Sequence, residues 1–402
     1  MLASQALRAF AYGLGSVLLG STLVERRFTT TAVGLVLGAV VAGIVIAQLV
    51  VARWADRLGR RRVYGVLYVA LAVTGVTLAT AAPLWLLVLV ALTGALSTEV
   101  VESGPFTSLE LAMLSGRLDS NALVTGFGWY NAIAAGVGAL GALAATLPQM
   151  VRNVWEAAPP DRIWFLFFLP VTATGVMIAR RLTARVEAPT GGATTKPLGP
   201  SRPAVIRLSG LFALDAFAGG FVVQTFIAYW LIDRLGATTG TVGVLFAAIG
   251  IVQTLSFLAA PLLARRFGLL NTMVFTHLPS NLFLAAVAFA PTLSVAAALL
   301  VTRAVLSQMD VPTRQAYVAI LVHPEERTAA IAYTNTARYL VRPIGPLAAG
   351  ATLAFATGAP FLIAGAIKIV YDLTLWRWFR AIPLPGSLAR VDPPPGRDEG
   401  GR

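Results

Sequence analysis

Ala52-Arg53-Trp54-Ala55-Asp56-Arg57-Leu58-Gly59-Arg60-Arg61-Arg62 places five arginines, one aspartate and one glycine within eleven residues. The stretch separates two apolar runs, 31–52 and 63–82, each long enough for a helix across a hydrocarbon core, which takes about 20 residues. A reversal this short between adjacent helices needs glycine for an unusual backbone angle, and Gly59 supplies it. The arginines suit a cytoplasmic membrane face. Asp56 stands alone among them and has two readings, a helix N-cap or a partner for a neighbouring arginine.

Outward from this loop the same alternation continues. Apolar segments run near 3–22, 31–52, 63–82, 84–104, 122–147, 163–180, 205–231, 240–264, 270–290, 292–311, 328–353 and 358–379, which predicts twelve spans. The 402 residues are 57% hydrophobic and 12% charged, with mean hydropathy +0.76. A soluble protein carries roughly 25% charged residues, so a water-soluble enzyme of this length is excluded. Abundant apolar residues exclude disorder as well. There is no cysteine and there are two histidines, which removes disulfide scaffolds, thiol catalysis and Cys/His metal centres. No metal and no cofactor is expected. The arginine skew, with Lys196 and Lys368 the two lysines among 31 basic residues, points to a GC-rich bacterial genome. The net charge of +13 reads as loop charge that sets orientation rather than a nucleic-acid surface.

With the amino terminus inside, the cytoplasmic segments hold 21 basic residues and the opposite side five: Arg26, Arg27, Arg152, Arg162 and Arg234. The 21 include Arg314, read as a loop residue. Both termini are therefore expected in the cytoplasm of a plasma (inner) membrane.

The chain also repeats itself. At an offset of about 207–209, Ala9-Phe10-Ala11 falls on Ala216-Phe217-Ala218, Val33-Gly34 on Val242-Gly243, Gly59 on Gly268, Pro83 on Pro291 and Pro105 on Pro312. A slightly shorter offset brings Asn131 onto Asn335 and Gly141 onto Gly345. The repeat makes the first span a helix rather than a signal peptide, and it sets Arg8 against Asp215. The expected organisation is an all-α polytopic membrane protein of two pseudo-symmetric six-helix bundles, 1–182 and 205–381. A Pro/Gly-rich linker, 183–204, joins them, and a tail follows at 382–402.

The loop at 52–62 resembles the signature of the major facilitator superfamily of secondary transporters. Twelve spans in two halves, a polar central loop, Pro324-Glu325-Glu326-Arg327 before span 11 and Gly345-Pro346 within it fit the same family. The resemblance implies that Asp56, Arg57, Gly59, Arg60 and Arg61 form a gating charge network that breaks during transport. It also implies rocking of two halves about a central cavity. Ala52 replaces the family's leading glycine, and the second half keeps Arg265-Arg266-Phe267-Gly268 without the aspartate. Span 4 carries Glu99 and Glu102 where many drug/proton antiporters have arginine, and span 5 lacks their Gly-Pro signature.

Charges inside a membrane need partners or a watery cavity. Arg303, Arg338 and Arg342 are candidate anion-binding residues, since guanidinium matches carboxylate or phosphate with two hydrogen bonds. Asn131, Asn335 and Tyr12 join them as candidate substrate contacts, although amides also bridge helices and aromatic residues also fill cores. Glu99, Glu102, Asp215 and Asp310 are candidate proton-coupling acids, or else neutralise arginines across the bundle. Glu110 continues the face of Glu99 and Glu102 toward the cytoplasm. Lys368 and Asp372 have the spacing of an ordinary i,i+4 ion pair. His277 and Asn281 share a face of span 9.

No phosphate-binding GxxxxGK[ST] loop and no Ser/His/Asp arrangement occurs. The expected function is proton-coupled secondary transport, as symporter or antiporter, of a small solute such as an organic or phosphorylated anion. The lipid bilayer is its surroundings, the proton its coupling ion and the monomer its form. Efflux of neutral or cationic compounds is the alternative, and a non-transporting sensor the alternative of another class. An enzyme using Glu99 and Glu102 is disfavoured by the repeat and the loop.

Overall fold

The computed structural model describes residues 2–97, 100, 105, 106, 110, 120–155, 157–181, 198–322 and 326–382, without the side chains of 52, 56, 57, 120–128, 319, 327 and 328. Every regular element among the described residues is helical. The first half contains α1 (Leu2–Glu25), α2 (Thr30–Leu58), α3 (Arg60–Ala79), α4 (Leu84–Ala91), α5 (Ser120–Ala144), α6 (Leu147–Val154), a 3₁₀ turn (Asp161–Phe167) and α7 (Phe168–Arg181). The second contains α8 (Arg202–Phe221), α9 (Gln224–Leu235), α10 (Thr239–Phe267), α11 (Leu269–Val287), α12 (Leu293–Ser307) and α13 (Asp310–Leu321). It ends with α14 (Arg327–Val341), α15 (Ile344–Leu353) and α16 (Ala359–Phe379). Nine segments among the described residues are long and apolar enough to cross a membrane. With α8–α9, α12–α13 and α14–α15 as broken passes, the described elements are consistent with the twelve expected passes.

The repeat reaches down to the turn chemistry. α2 and α10 are both 29 residues long and start 209 residues apart. Thr29 Oγ accepts from Ala32 N at 3.2 Å, and Thr238 Oγ accepts from Thr241 N at 3.1 Å, so each helix begins on the same threonine cap. Gly59 at φ 91° and Gly268 at φ 83° end them and start the next helix directly. A side chain at either φ would clash with its own backbone, so these glycines allow a one-residue reversal.

Three expected spans are broken rather than continuous. Span 11 stops at Val341 and resumes at Ile344, because Pro343 lacks an amide hydrogen and its ring opposes the preceding turn. Span 7 breaks at Val222 and Val223, and span 10 at Gln308 and Met309.

Helices of the two halves meet through small residues. A Cβ on Gly20 of α1 would stand 2.7 Å from Ala228 Cβ of α9, and one on Gly34 of α2 would stand 3.0 Å from Gly350 Cα of α15. A Cβ on Gly250 of α10 would stand 2.8 Å from Ala139 Cβ of α5. Without a hydrophobic force between helices in lipid, close backbone packing of this kind supplies the contact energy. The first two contacts lie toward the end of the molecule that carries the 26–29 and 236–238 turns, and the third lies at the level where both residues line the cavity described below.

Candidate functional site

Between the halves lies a cavity of about 210 Å³. The first half contributes small apolar groups, Val100, Ala135, Gly138 and Ala139. The second half contributes the charge: Arg303 on α12, Arg314 and Asp310 on α13, Arg338 on α14, Arg342 at its end, Asp215 on α8, His277 on α11 and Lys368 on α16. The helix breaks bring these groups inward. Arg342 sits at the end of α14 beside Pro343, and Asp310 opens α13 just after the break in span 10.

Within this wall the ion pairs run both along α13 and between helices. Lys368 Nζ donates to Asp215 Oδ1 at 2.5 Å, and Arg314 Nη1 donates to Asp310 Oδ2 at 2.7 Å with Asp215 Oδ2 at 3.9 Å. His277 Nδ1 lies 2.9 Å from Asp372 Oδ1, and Asn281 Nδ2 donates to Asp372 Oδ2 at 2.8 Å. Asp215, Asp310, Asp372, Arg314, Lys368 and His277 are all buried. A buried charge without a partner costs several kcal/mol, and each of these has one, Asp310 on its own helix and the others across a helix boundary.

Several sequence expectations change here. Lys368 and Asp372 do not form the i,i+4 pair: the lysine turns to Asp215 and the aspartate takes His277 and Asn281. Arg314 is not a loop cation but a buried cavity residue. Glu110 belongs to a buried cluster of the first half. It accepts from Arg8 Nη2 at 2.7 Å and from the hydroxyls of Tyr64 and Tyr130, in a cluster that Gln5, Ser4 and Tyr68 complete. Arg8 is thus a buried cation of the first half, as Asp215 is a buried anion of the second, and their alignment in the repeat was the signal for it.

Among the candidate site residues, Arg303, Arg338, Arg342, Asp215 and Asp310 come together in the cavity. Tyr12 does not line it; this ring is wholly buried and its hydroxyl donates to Ala95 O at 2.8 Å. Asn131 and Asn335 are half-buried outside the lining. Glu99 and Glu102, and the side chains of Asp56 and Arg57, lie outside what is described. Arg60 and Arg61 open α3 directly after Gly59. The sequence reading missed Lys368 and Arg314 as cavity residues, because spacing along one helix says nothing of which neighbour faces it.

A second polar cluster ties the halves at the end opposite Gly59. Asp161 Oδ2 accepts from the hydroxyls of Ser21 and Thr239, both at 2.6 Å, and Oδ1 accepts from Arg152. Glu25 Oε1 accepts from Asp161 N at 3.2 Å. Thr239 belongs to the second half and the others to the first.

The profile of the Major Facilitator Superfamily matches residues 1–346. An uncharacterized membrane protein of Saccharomyces cerevisiae is 24% identical over 413 residues, covering 93% of this chain and 92% of the relative. Among solved structures, the inward-open xylose transporter XylE of E. coli superposes with a TM-score of 0.72 at 12% identity, covering 96% of this chain and 97% of that one. The nucleoside transporter NupG superposes with a TM-score of 0.69 at 15% identity, covering 94% and 98%.

Proposed function

The chain belongs to the major facilitator superfamily, a family of membrane transporters and not of enzymes, and from that premise we propose that it carries a small anionic solute, organic or phosphorylated, by alternating access. The observation that supports this reading is the charge of the cavity. Its described lining holds five basic side chains, Arg303, Arg314, Arg338, Arg342 and Lys368, beside Asp215 and Asp310. At about 210 Å³ the space is below the roughly 300–1,000 Å³ of drug-sized pockets, which suits a small metabolite.

The moving bodies in this reading are 1–182 and 205–381, with 183–204 as their tether and 382–402 as a tail. The termini face the cytoplasm of a plasma (inner) membrane. With Arg314 moved from loop to cavity the basic residues still divide 20 to 5, and both a reporter at residue 195 and one at the carboxyl end report cytoplasm. The end carrying the 26–29 turn then faces outward and is shut by the small-residue contacts. Protons drive the cycle through Glu99, Glu102, Asp215 and Asp310, which Glu→Gln variants with and without a proton gradient test. The monomer is the transporting unit.

The deciding experiment is uptake into proteoliposomes with a panel of small carboxylates and phosphate esters. Xylose and a nucleoside, the cargoes of the two similar transporters, serve as neutral competitors. A hydrogen bond to a charged partner contributes about 1.5–3 kcal/mol, so Arg338→Ala and Arg342→Ala each lower anion affinity at least about tenfold. Equal transport of neutral compounds, or wild-type affinity in both variants, removes the anion site.

A further inference from the structure

Three carboxylates are buried beside the cavity in the second half: Asp215, Asp310 and Asp372. Lys368 and Arg314 serve the first two. Asp372 is different. Its described partners are an imidazole and an amide, His277 Nδ1 at 2.9 Å and Asn281 Nδ2 at 2.8 Å, although Lys368 sits one turn away on the same helix.

Of the three carboxylates, Asp372 is the one whose described partners bring no positive charge while the imidazole is neutral. One added proton brings the His277–Asp372 pair itself to neutrality. Uncompensated charge is costly when water is shut out and tolerable when the cavity is hydrated. The proton content of this pair is therefore linked to which state the carrier occupies.

Geometry permits both proton positions. His277 Nδ1 either donates its own hydrogen to Asp372 Oδ1 or accepts one from a protonated carboxyl across the same 2.9 Å contact. Asn281 Nδ2, 3.1 Å from His277 Nδ1, donates to Asp372 Oδ2 in either case. His277 reaches the cavity wall while Asp372 is fully buried behind it, so the imidazole is the side from which a proton enters. The groups that face the pair are Asp215 from α8, Asp310 and Arg314 from α13, Lys368 from α16, and Arg303, Arg338 and Arg342 across the cavity. The Tyr371 ring stands edge-on to His277 at 6.0 Å. α10 carries its arginines, Arg265 and Arg266, in its last turn, and α15 has no titratable side chain.

We propose that the His277–Asp372 pair, steadied by Asn281, is a proton-binding site through which the conformational cycle responds to pH. It deepens the reading of the chain as a proton-coupled carrier and rests on it. It also places a coupling proton on an imidazole, the side chain whose ordinary pKa of about 6.5 lies nearest neutrality.

The test needs no substrate. The full chain is labelled with ¹⁵N-histidine in lipid nanodiscs and carries His323→Gln, so that one imidazole remains. Its ring nitrogens report titration between about pH 5 and 9, and the curve moves by about one pH unit or more in Asp372→Asn. The chain is free of cysteine, so spin labels at Arg27→Cys and Arg234→Cys report the separation of the halves. That separation changes over the same pH range in the parent and not in His277→Gln. An imidazole that keeps one protonation state throughout, a curve unmoved by Asp372→Asn, or a pH-dependent separation that persists in His277→Gln overturns the proposal. Absence of anion flux with an intact His277-dependent pH response strikes the substrate reading and supports the proton site. Anion flux with a His277-independent response does the reverse.

Discussion

Lys368 Nζ lies 2.5 Å from Asp215 Oδ1, 153 residues away in the chain, while Asp372, four residues along its own helix, is bound by His277 and Asn281. An exposed i,i+4 pair contributes only about 0.2–0.5 kcal/mol. In a buried wall the demand is different, because every charge must be met, and the pairing that meets all of them joins α8, α11, α13 and α16 into one unit.

Lys368→Met is expected to destabilise the protein by about 3–5 kcal/mol, the cost of leaving a buried partner unmet. The contact from Arg314 at 3.9 Å keeps the loss toward the lower figure. Asp215→Asn combined with Lys368→Met removes both charges and recovers most of it. Thermal melting in detergent compares the two, and equal melting would mean that Asp215 is satisfied without Lys368.

Gly34→Leu and Gly350→Leu are expected to pry the halves apart without unfolding either. A Cβ at Gly34 would meet Pro346 O at 2.8 Å, and one at Gly350 would meet Thr30 O at 2.6 Å. Backbone atoms cannot rotate away, so the strain is relieved by opening that end. The Arg27→Cys/Arg234→Cys distance should lengthen in both variants while the melting temperature stays near the parent's; an unchanged distance counts against the contact as the closure.

Asp161→Ala is expected to weaken the same closure by another route. Ser21 and Thr239 both donate to one oxygen of this buried carboxylate, and hydrogen bonds to a charged group contribute about 1.5–3 kcal/mol. The bond from Thr239 crosses between the halves, so its loss should shift the equilibrium toward separation by at least about tenfold. Thr239→Val removes the crossing bonds to Asp161 and Ser21, so a shift in Asp161→Ala without any in Thr239→Val would assign the effect to the first half alone.

Gly59→Ala is expected to cost about 1–3 kcal/mol, since φ 91° is a backbone region for glycine. Gly65→Ala, six residues later in α3 with nothing within 4 Å of its Cβ position, is the control. It should stabilise by about 0.5–1 kcal/mol, the helix preference for alanine over glycine. If both variants melt alike, the one-residue reversal does not depend on Gly59.

The reversals at Gly59 and Gly268, the twelve passes and the doubled architecture were legible in the sequence. Each rests on a local quantity: summed hydropathy over about 20 residues, a glycine at a turn, or a match at fixed offset. Arg303, Arg338 and Arg342 could be picked out for a similar reason, as rare charges inside apolar segments. The same rule took Arg314 for a loop residue, because span 10 appeared to end before it. The break at Gln308 and Met309 instead carries the chain on into α13 and buries the guanidinium.

What the sequence by itself determined is the kind of molecule: a chain too apolar for water, reversing where glycine permits, and built twice over. Only the tertiary structure decided which charges are partners. Lys368 had Asp372 one turn away, and Arg8 had no acid on its own helix until its last turn, at Glu25. Lys368 took Asp215 and Arg8 took Glu110. Insertion into a membrane is a sum over neighbouring residues, whereas the satisfaction of buried charge depends on which helices pack together. That packing is set by small-residue contacts between segments more than a hundred residues apart.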